Sequence, residues 1–227
     1  MIRTPDPEPS AAPWQVRPLV EVVARLMAVV GDPAGRPAVV AVDGREGGGK
    51  STAAGRIAAA VPGAVVVHTD DVAWWESFFG WDRLLAEGVL APVRRGEAVS
   101  FTPPAWPPRG RPGAIEVPAG VPLVVVEGVG AGRRSLGPML DAVVWVQSDH
   151  GEARRRGIAR DGGESATAFW DEWEAEELVF LAQDRPWERA AVVLCGTPDV
   201  DHDPEREAVV GRPLTGAAGL RTRAGRA

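Results

Sequence analysis

Five short apolar runs, each of strand length, limit the folds that this chain can adopt. The runs are rich in valine and nearly continuous, whereas a strand with one face in water alternates apolar and polar residues. Strands of this kind are covered on both faces, as in a parallel sheet between two layers of helices. The five runs are AVVAV (38–42), AVVVH (64–68), LVVVE (123–127), AVVWV (142–146) and AVVLC (191–195).

Helical patterns separate most of these runs, and a further helix is predicted ahead of the first run. The alternation predicts a single α/β domain over residues 14–204, with a parallel sheet and helices on both of its faces. We expect residues 1–13, which are rich in proline, to be disordered, and residues 205–227 to form a loose tail. The predicted helices cover 14–30, 50–60, 76–91, 150–161 and 166–184.

Composition narrows the class of protein. The chain has 227 residues, of which 45% are hydrophobic and 25% are charged, as is typical of a globular protein. Its formal net charge of −6 favours neither a nucleic-acid partner nor an anionic membrane, and no apolar run is long enough for a transmembrane helix. A single cysteine, Cys195, fits a reducing cytoplasm. Composition leaves open whether the protein is a homo-oligomer.

The segment GREGGGKST, residues 44–52, lies between the first predicted strand and a predicted helix. It fits the phosphate-binding pattern G-x-x-x-x-G-K-[ST], the P-loop, whose glycines let backbone N–H groups surround phosphate oxygens at a helix N-terminus. We therefore predict that this segment binds the phosphates of a nucleotide. The predicted contacts are Gly44, Glu46, Gly47, Gly48, Gly49, Lys50, Ser51 and Thr52.

Lys50 is the only lysine in the chain, and the other 24 basic residues are arginine. We expect its ammonium group to reach the β- and γ-phosphates and the Ser51 hydroxyl to bind Mg²⁺. A broad, planar guanidinium does not replace a compact ammonium in a phosphate cradle. This requirement explains why lysine is kept at this position in a chain that uses arginine everywhere else.

The second predicted strand ends in the sequence HTDD, residues 68–71. Carboxylates at the carboxyl end of a parallel strand lie on the rim where α/β proteins bind ligands. A carboxylate there can orient a substrate hydroxyl and accept its proton during phosphoryl transfer. Either Asp70 or Asp71 suits this role, and each is also a suitable N-cap for a following helix.

The order of these motifs resembles that of the uridine kinase and phosphoribulokinase group of P-loop kinases. The P-loop and the aspartate pair are followed by VVVEG (124–128) and by the arginine-rich segment RRRGIARD (154–161). The similarity extends from residue 38 to about residue 198. The resemblance implies a core of five parallel strands, ATP and Mg²⁺ as cosubstrates, and a mobile lid over residues 150–165.

The resemblance also implies roles for individual residues. Asp70 would be the base that contacts the acceptor hydroxyl. Glu127 would hold magnesium-bound water or a substrate hydroxyl. Arg156 and Arg160 would come from the lid and neutralise the transferring phosphoryl group, so that Lys50, Asp70 and these two arginines form the predicted catalytic set.

The predicted site matches the family at its adenine end and departs from it at its acceptor end. Gly196 and Thr197, in the stretch CGTP after the last strand, would contact adenine through their backbone. Uridine kinases carry a Tyr-Asp pair in a longer substrate insertion, whereas this chain has no tyrosine and offers residues 97–113 within the Pro- and Gly-rich loop 92–122. The predicted acceptor contacts are Asp70, Asp71, Trp74, Trp106, Arg111 and Glu127.

Three functions are compatible with the sequence. An ATP-dependent kinase of a nucleoside-like small molecule agrees best with the motifs, and a kinase of a sugar, a cofactor precursor or an antibiotic is the alternative. A regulatory protein that binds a nucleotide without turnover would keep the fold but would not need a base at the acceptor hydroxyl. The acids beside Trp170 and Trp173, Glu177 among them, are interpreted as a solvated helix face.

The explanation of the lone lysine predicts the behaviour of two variants. Lys50→Ala should abolish phosphoryl transfer while the fold stays intact, and Lys50→Arg should also be severely impaired because the guanidinium does not fit the cradle. Steady-state turnover of both variants, with circular dichroism as the folding control, measures this. Near-normal turnover of Lys50→Arg would contradict the explanation.

Overall fold

The centre of the fold is a sheet of five parallel strands in the computed structural model, which describes residues 2–214. All five strands coincide with the predicted apolar runs to within two residues, so the predicted α/β fold class is confirmed. The strands are β2 (Ala38–Gly44), β3 (Val65–His68), β6 (Leu123–Glu127), β7 (Ala142–Gln147) and β8 (Val192–Cys195), and their order in the sheet is β8-β7-β2-β6-β3.

Two antiparallel strands that the sequence did not indicate extend this sheet beyond β8. They are β1 (Gln15–Pro18) and β9 (Glu207–Val210), and β9 lies between β1 and β8. The helix predicted from residue 14 therefore begins only at residue 19, as α1 (Leu19–Val30), because the residues before it pair with β9. The prediction of a loose tail from residue 205 is wrong for residues 205–214, which include β9. Residues 215–227 lie outside the described part of the chain.

The disorder expected for residues 1–13 is also contradicted for residues 2–13, which pack along the sheet. The Glu8 carboxylate, which is buried, accepts hydrogen bonds from Trp145 Nε1 at 2.7 Å and from Gln147 Nε2 at 2.8 Å. The Ala11 N–H donates to Gln147 Oε1 at 2.8 Å. All of these partners lie more than 130 positions away in sequence, so local composition carried no sign of them.

Three predicted helices are present and one is divided. Helices α2 (Lys50–Ala59), α6 (His150–Arg160) and α7 (Thr167–Asp184) follow their predictions closely. The helix predicted at 76–91 is replaced by the short helix α4 (Asp82–Leu85), a π-helical turn (Ala86–Leu90) and α5 (Ala91–Arg94), and another short helix, α3 (Asp70–Ala73), precedes this segment. The segment 92–122 contains a two-stranded hairpin of β4 (Val99–Phe101) and β5 (Ile115–Val117).

Hydrophobic clusters pack on both faces of the sheet, which brings the predicted site residues to one edge. One face packs against α4, α5 and the hairpin, the other packs against α1 and α2, and a third cluster lies between β7 and α7. The carboxyl ends of the five parallel strands share one rim, where Gly44 ends β2 and begins the P-loop and Glu127 lies beside His68. This rim is where ligands bind in open α/β sheets. No helix within residues 2–214 has the length and apolar character of a membrane span.

Packing of α6 against α7 depends on Gly157, because a Cβ at this position would overlap the buried Trp170 indole. We expect Gly157→Ala to lower the free energy of unfolding by about 1–3 kcal/mol relative to Gly55→Ala. Gly55 is the matched control, since it lies in α2, where an added Cβ would have no atom within 4 Å, and it should gain slightly from alanine. Urea unfolding measures both, and equal stabilities would refute the proposed contact.

Candidate active site

The P-loop joins β2 to α2 with a backbone that only glycine accommodates easily. Gly47 and Gly49 have φ values of 70° and 92°, in the left-handed region that disfavours a side chain. A Cβ at Gly47 would also overlap the carbonyl of Ala153 in α6. The loop therefore curves tightly beneath α6, and its backbone is shaped to enclose an anion at the start of α2.

Lys50 begins α2 and points back into the loop. Its ammonium is 5% exposed and donates hydrogen bonds to the Arg45 carbonyl at 3.0 Å and to Glu46 Oε2 at 3.3 Å. Burial disfavours the charged ammonium, but the carboxylates of Glu46 and Glu127 outweigh burial and raise the pKa of Lys50. The structure thus holds a charged ammonium inside the predicted phosphate cradle.

Glu46 does not sit where a phosphate contact would be expected. Its carboxylate bridges Lys50 and Arg160, whose Nη2 lies 2.9 Å from Glu46 Oε1. These two cations, Lys50 first, lower the pKa of Glu46 to about 2, so the group is negatively charged. Its backbone N–H is also occupied, because it donates to Glu177 Oε1 at 2.7 Å. In this conformation the Glu46 carboxylate takes the place of an anion, and a contact of Glu46 with the nucleotide stays a prediction.

Ser51, Glu127 and His68 form a chain of polar contacts on the rim. The Ser51 hydroxyl donates to Glu127 Oε1 at 3.1 Å, and His68 Nδ1 lies 2.7 Å from Glu127 Oε2. A hydroxyl and a carboxylate are the oxygen donors that Mg²⁺ prefers. Within residues 2–214 no three carboxylate, histidine or cysteine side chains cluster as a metal cage, so these two groups fit an ion that takes its other ligands from phosphate and water.

The two aspartates after β3 have different surroundings. Asp71 is engaged, since its carboxylate pairs with Arg111 Nη2 at 2.5 Å and its carbonyl accepts a hydrogen bond from Trp106 Nε1 at 2.8 Å. The carboxylate of Asp70 has no hydrogen-bond or ion-pair partner within residues 2–214. Asp70 is an exposed residue, but partial desolvation of its carboxylate, together with the nearby carboxylate of Glu46, raises the pKa of Asp70. Of the two, Asp70 is therefore the one with a carboxylate available to a ligand.

The predicted acceptor contacts separate into exposed and covered groups. Trp106 is 3% exposed and lies under the Arg111 guanidinium, whose carbon is 3.6 Å from the ring centroid. It therefore supports Arg111 and Asp71 and does not face a ligand, contrary to the prediction. Trp74 is 57% exposed and meets Trp75 edge to face at 6.3 Å between ring centroids. This pair is an exposed aromatic surface close to the two aspartates, with the Arg109 guanidinium over the Trp75 ring.

The arginines of the predicted lid are paired with acids in this structure. Arg156 bonds Glu152 at 2.6 Å and donates to the Gly196 carbonyl at 3.1 Å. Arg160 reaches the P-loop through Glu46. Both side chains lie on α6, where a spacing of four residues places them on one face. The structure brings both arginines to the phosphate end of the site, where their guanidinium groups are bound to carboxylates or carbonyls of the protein.

The loop after β8 lies beside the P-loop. Gly196 is packed so tightly that a Cβ there would overlap the Gly48 carbonyl, and Ser148 Oγ donates to the same carbonyl at 2.6 Å. The Thr197 hydroxyl accepts a hydrogen bond from the Asp149 N–H at 2.8 Å. The two predicted adenine contacts are thus held next to the phosphate cradle by the first turn of α6.

Sequence reasoning missed the groups that fix the P-loop from behind. Arg45, a P-loop residue that is 2% exposed, bonds Glu8 Oε2 at 3.1 Å and lies 3.6 Å from Glu177 Oε2. Glu177 is buried, so its assignment to a solvated helix face is wrong. Asp43 is fully buried and accepts hydrogen bonds from the N–H groups of residues 44, 130 and 132. An arginine inside a P-loop was the one local sign that buried acids would be needed.

Burial raises the pKa of Glu177 to about 7, against the opposing effect of Arg45. Because the folded pKa exceeds the unfolded one, Glu177 favours folding below pH 4.5 and this contribution is lost as the pH rises through 7. We expect wild type to lose on the order of 1–3 kcal/mol relative to Glu177→Gln between pH 4.5 and 7.5.

Urea unfolding of both proteins at the two pH values measures this difference. Glu87→Gln is the control, because Glu87 is an exposed partner of Arg83 and its removal should leave the pH dependence nearly unchanged. Parallel stability profiles for wild type and Glu177→Gln would contradict the assigned pKa.

Comparison with known proteins yields structural likeness without sequence matches. No family model and no curated protein sequence matches the chain. A solved structure described as a candidate fructose transport system kinase from Silicibacter sp. TM1040 superposes with a TM-score of 0.56 at 20% identity, over 74% of this chain and 93% of that one. A structure described as a candidate uridine kinase from Bacillus stearothermophilus gives 0.51 at 17% identity, over 77% and 96%. This chain therefore has the fold of the P-loop kinases.

Proposed function

We propose that this protein is an ATP-dependent kinase that transfers a γ-phosphoryl group to a hydroxyl of a small molecule. The observation that carries the proposal is the unpartnered carboxylate of Asp70 on the same rim as the buried ammonium of Lys50. A nucleotide-binding regulator needs the second group but not the first. A raised pKa suits a group that must accept a proton from the acceptor hydroxyl.

The roles of the residues follow from their charges and positions. Lys50 binds the β- and γ-phosphates, and the N–H groups at the start of α2 complete the cradle. Arg156 and Arg160 neutralise the charge that spreads over the phosphoryl group during transfer. Asp70 orients the acceptor hydroxyl toward the γ-phosphorus and takes up its proton.

Magnesium would be held at Ser51, with Glu127 binding through a coordinated water. When bound there, Mg²⁺ would supply neutralisation of the negative charge of the phosphates. The Ser51–Glu127 hydrogen bond keeps both oxygens at the first turn of α2. The neighbouring His68 bonds the other oxygen of Glu127 and so fixes the orientation of that carboxylate.

Nucleotide binding requires an exchange of partners around Glu46. In the described conformation its carboxylate satisfies Lys50 and Arg160, the two cations assigned to phosphate. A triphosphate offers more negative charge and more acceptor oxygens than one carboxylate. We infer that the phosphates displace Glu46, which frees Arg160 to move with the lid over residues 150–165 and to close over the substrates.

A nucleoside is the favoured acceptor, because the exposed Trp74–Trp75 pair lies directly after the aspartates and can stack on a planar base. A sugar, a cofactor precursor or an antibiotic with a hydroxyl group is the alternative. A screen of nucleosides and sugars for acceptor-dependent ADP release separates these acceptors. If none of these compounds stimulated ADP release, the result would favour the regulatory function.

Asp70→Asn and Asp71→Asn form a matched pair that tests the assignment of the base. Asp70→Asn should lower kcat by about 10²–10⁴ and leave MgATP binding nearly unchanged, because a positioned base is removed and the phosphate cradle is not. Asp71→Asn should mainly raise KM for the acceptor, since Asp71 fixes Arg111. A large fall of kcat in Asp71→Asn alone would assign the base to Asp71.

A further inference from the structure

A cavity of about 510 Å³ opens at the end of the candidate site that lies away from Asp70. Its volume is within the range of small-molecule sites. Part of its wall belongs to α6 and to the loop after β8, which carry groups already assigned to the nucleotide. The rest belongs to residues near the start of the chain, to which no role has been assigned. The wall includes Ile2, Arg3, Asp149, Arg156, Thr197 and Pro198.

This cavity continues the phosphate cradle. Thr197 is one of its lining residues, and the neighbouring Gly196 packs against the Gly48 carbonyl of the P-loop. Arg156 also lines the cavity and donates to the Gly196 carbonyl at 3.1 Å. A nucleotide whose phosphates occupy the P-loop can therefore place its ribose and base in this cavity.

Residues 2–8 are fixed in position at both ends. The Arg3 N–H donates to Asp149 Oδ2 at 3.0 Å, and the Arg3 carbonyl accepts a hydrogen bond from the His150 N–H at 3.0 Å. These bonds attach the segment to the first turn of α6. At the other end the Glu8 carboxylate is buried between Arg45 and Trp145. The segment is therefore an ordered strap beside the cavity.

The Arg3 side chain is available to a ligand in the cavity. It is 83% exposed, and its only partner within residues 2–214 is Asp149, at 3.3 Å from its Nε. A guanidinium group is planar and weakly hydrated, so it stacks on aromatic rings while it keeps an ion pair at its edge. A nucleobase presents such a ring.

The other end of the strap contacts the P-loop itself. Glu8 is bonded to the guanidinium of Arg45, which lies in the loop between Gly44 and Glu46 and is buried. Loss of the Glu8 charge would leave Arg45 with Glu177, at 3.6 Å, as its remaining acidic neighbour. An imperfectly neutralised buried charge is costly, so the P-loop would relax around it.

We propose that residues 2–8 form a strap across the nucleotide site, in which the Arg3 guanidinium stacks on the base of a nucleoside triphosphate and Glu8 holds the P-loop through Arg45. The assignment rests on the proposed function, because it takes the P-loop as a triphosphate site. Arg3 is a binding residue in this scheme, and Glu8 is a positioning residue that acts through Arg45.

Titration calorimetry with two ligands separates these roles. MgATP has a base, whereas magnesium tripolyphosphate occupies the same phosphate cradle without one. Arg3→Ala should weaken MgATP binding by about two- to fivefold, the worth of an exposed cation–π contact, and leave tripolyphosphate binding unchanged. Glu8→Gln should weaken the binding of MgATP and of tripolyphosphate by the same factor, because it acts on the phosphate cradle that both ligands occupy. Arg83→Ala is the matched control, since Arg83 is 82% exposed and pairs with Glu87 on a different part of the surface.

The outcomes are distinct. An unchanged ratio of the two affinities in Arg3→Ala, in a protein that binds both ligands, would overturn the role of Arg3. Unchanged tripolyphosphate affinity in a folded Glu8→Gln variant would overturn the role of Glu8. If the wild type bound neither ligand, the proposed function would fail and this inference with it. Because Arg3 is exposed, its variant tests the strap even if Glu8→Gln does not fold.

Discussion

The buried guanidinium of Arg45 is the interaction on which the candidate site depends. It lies inside the phosphate-binding loop, and it is neutralised by one acid from the beginning of the chain, Glu8, and one from α7, Glu177. A buried charge without partners would cost several kcal/mol, so these acids must stay in place whenever the loop is in this conformation. Two segments that are remote in sequence are thereby tied to the loop that we assign to the nucleotide.

A second set of charges surrounds the front of the same loop. Lys50 and Arg160 share the carboxylate of Glu46, so the cations are satisfied by the protein itself. The negative charge of Glu46 reduces the repulsion between the positive charges of Lys50 and Arg160. It also means that an anionic ligand competes with an internal carboxylate, so that part of its binding energy goes into exchanging partners. The ion pairs of Glu46 at the front of the loop can thus be exchanged for a ligand, whereas Arg45 at the back is fixed by Glu8 and Glu177.

The difference between the two aspartates after β3 has the same origin. Both stand at the carboxyl end of a strand, and both are acidic residues in the first turn of a short helix. Arg111 arrives from the hairpin segment, stacked on Trp106, and pairs with Asp71 alone. The partner of one aspartate is therefore 40 residues away in the chain, which is why HTDD alone left the choice between them open.

Local sequence was sufficient to locate the parallel core and the phosphate-binding loop. Continuous valine runs marked all five parallel strands, because burial on both faces requires apolar residues at every position. The spacing of Gly44, Gly49, Lys50 and Ser51 marked the loop, because its backbone conformation restricts residue type locally. Long-range packing settled the remaining features, which are the antiparallel strands β1 and β9, the packed segment 2–13, and the buried roles of Glu177 and Trp106. Each of these depends on a partner far away in the chain, and neither propensity nor periodicity within a short window contains that information.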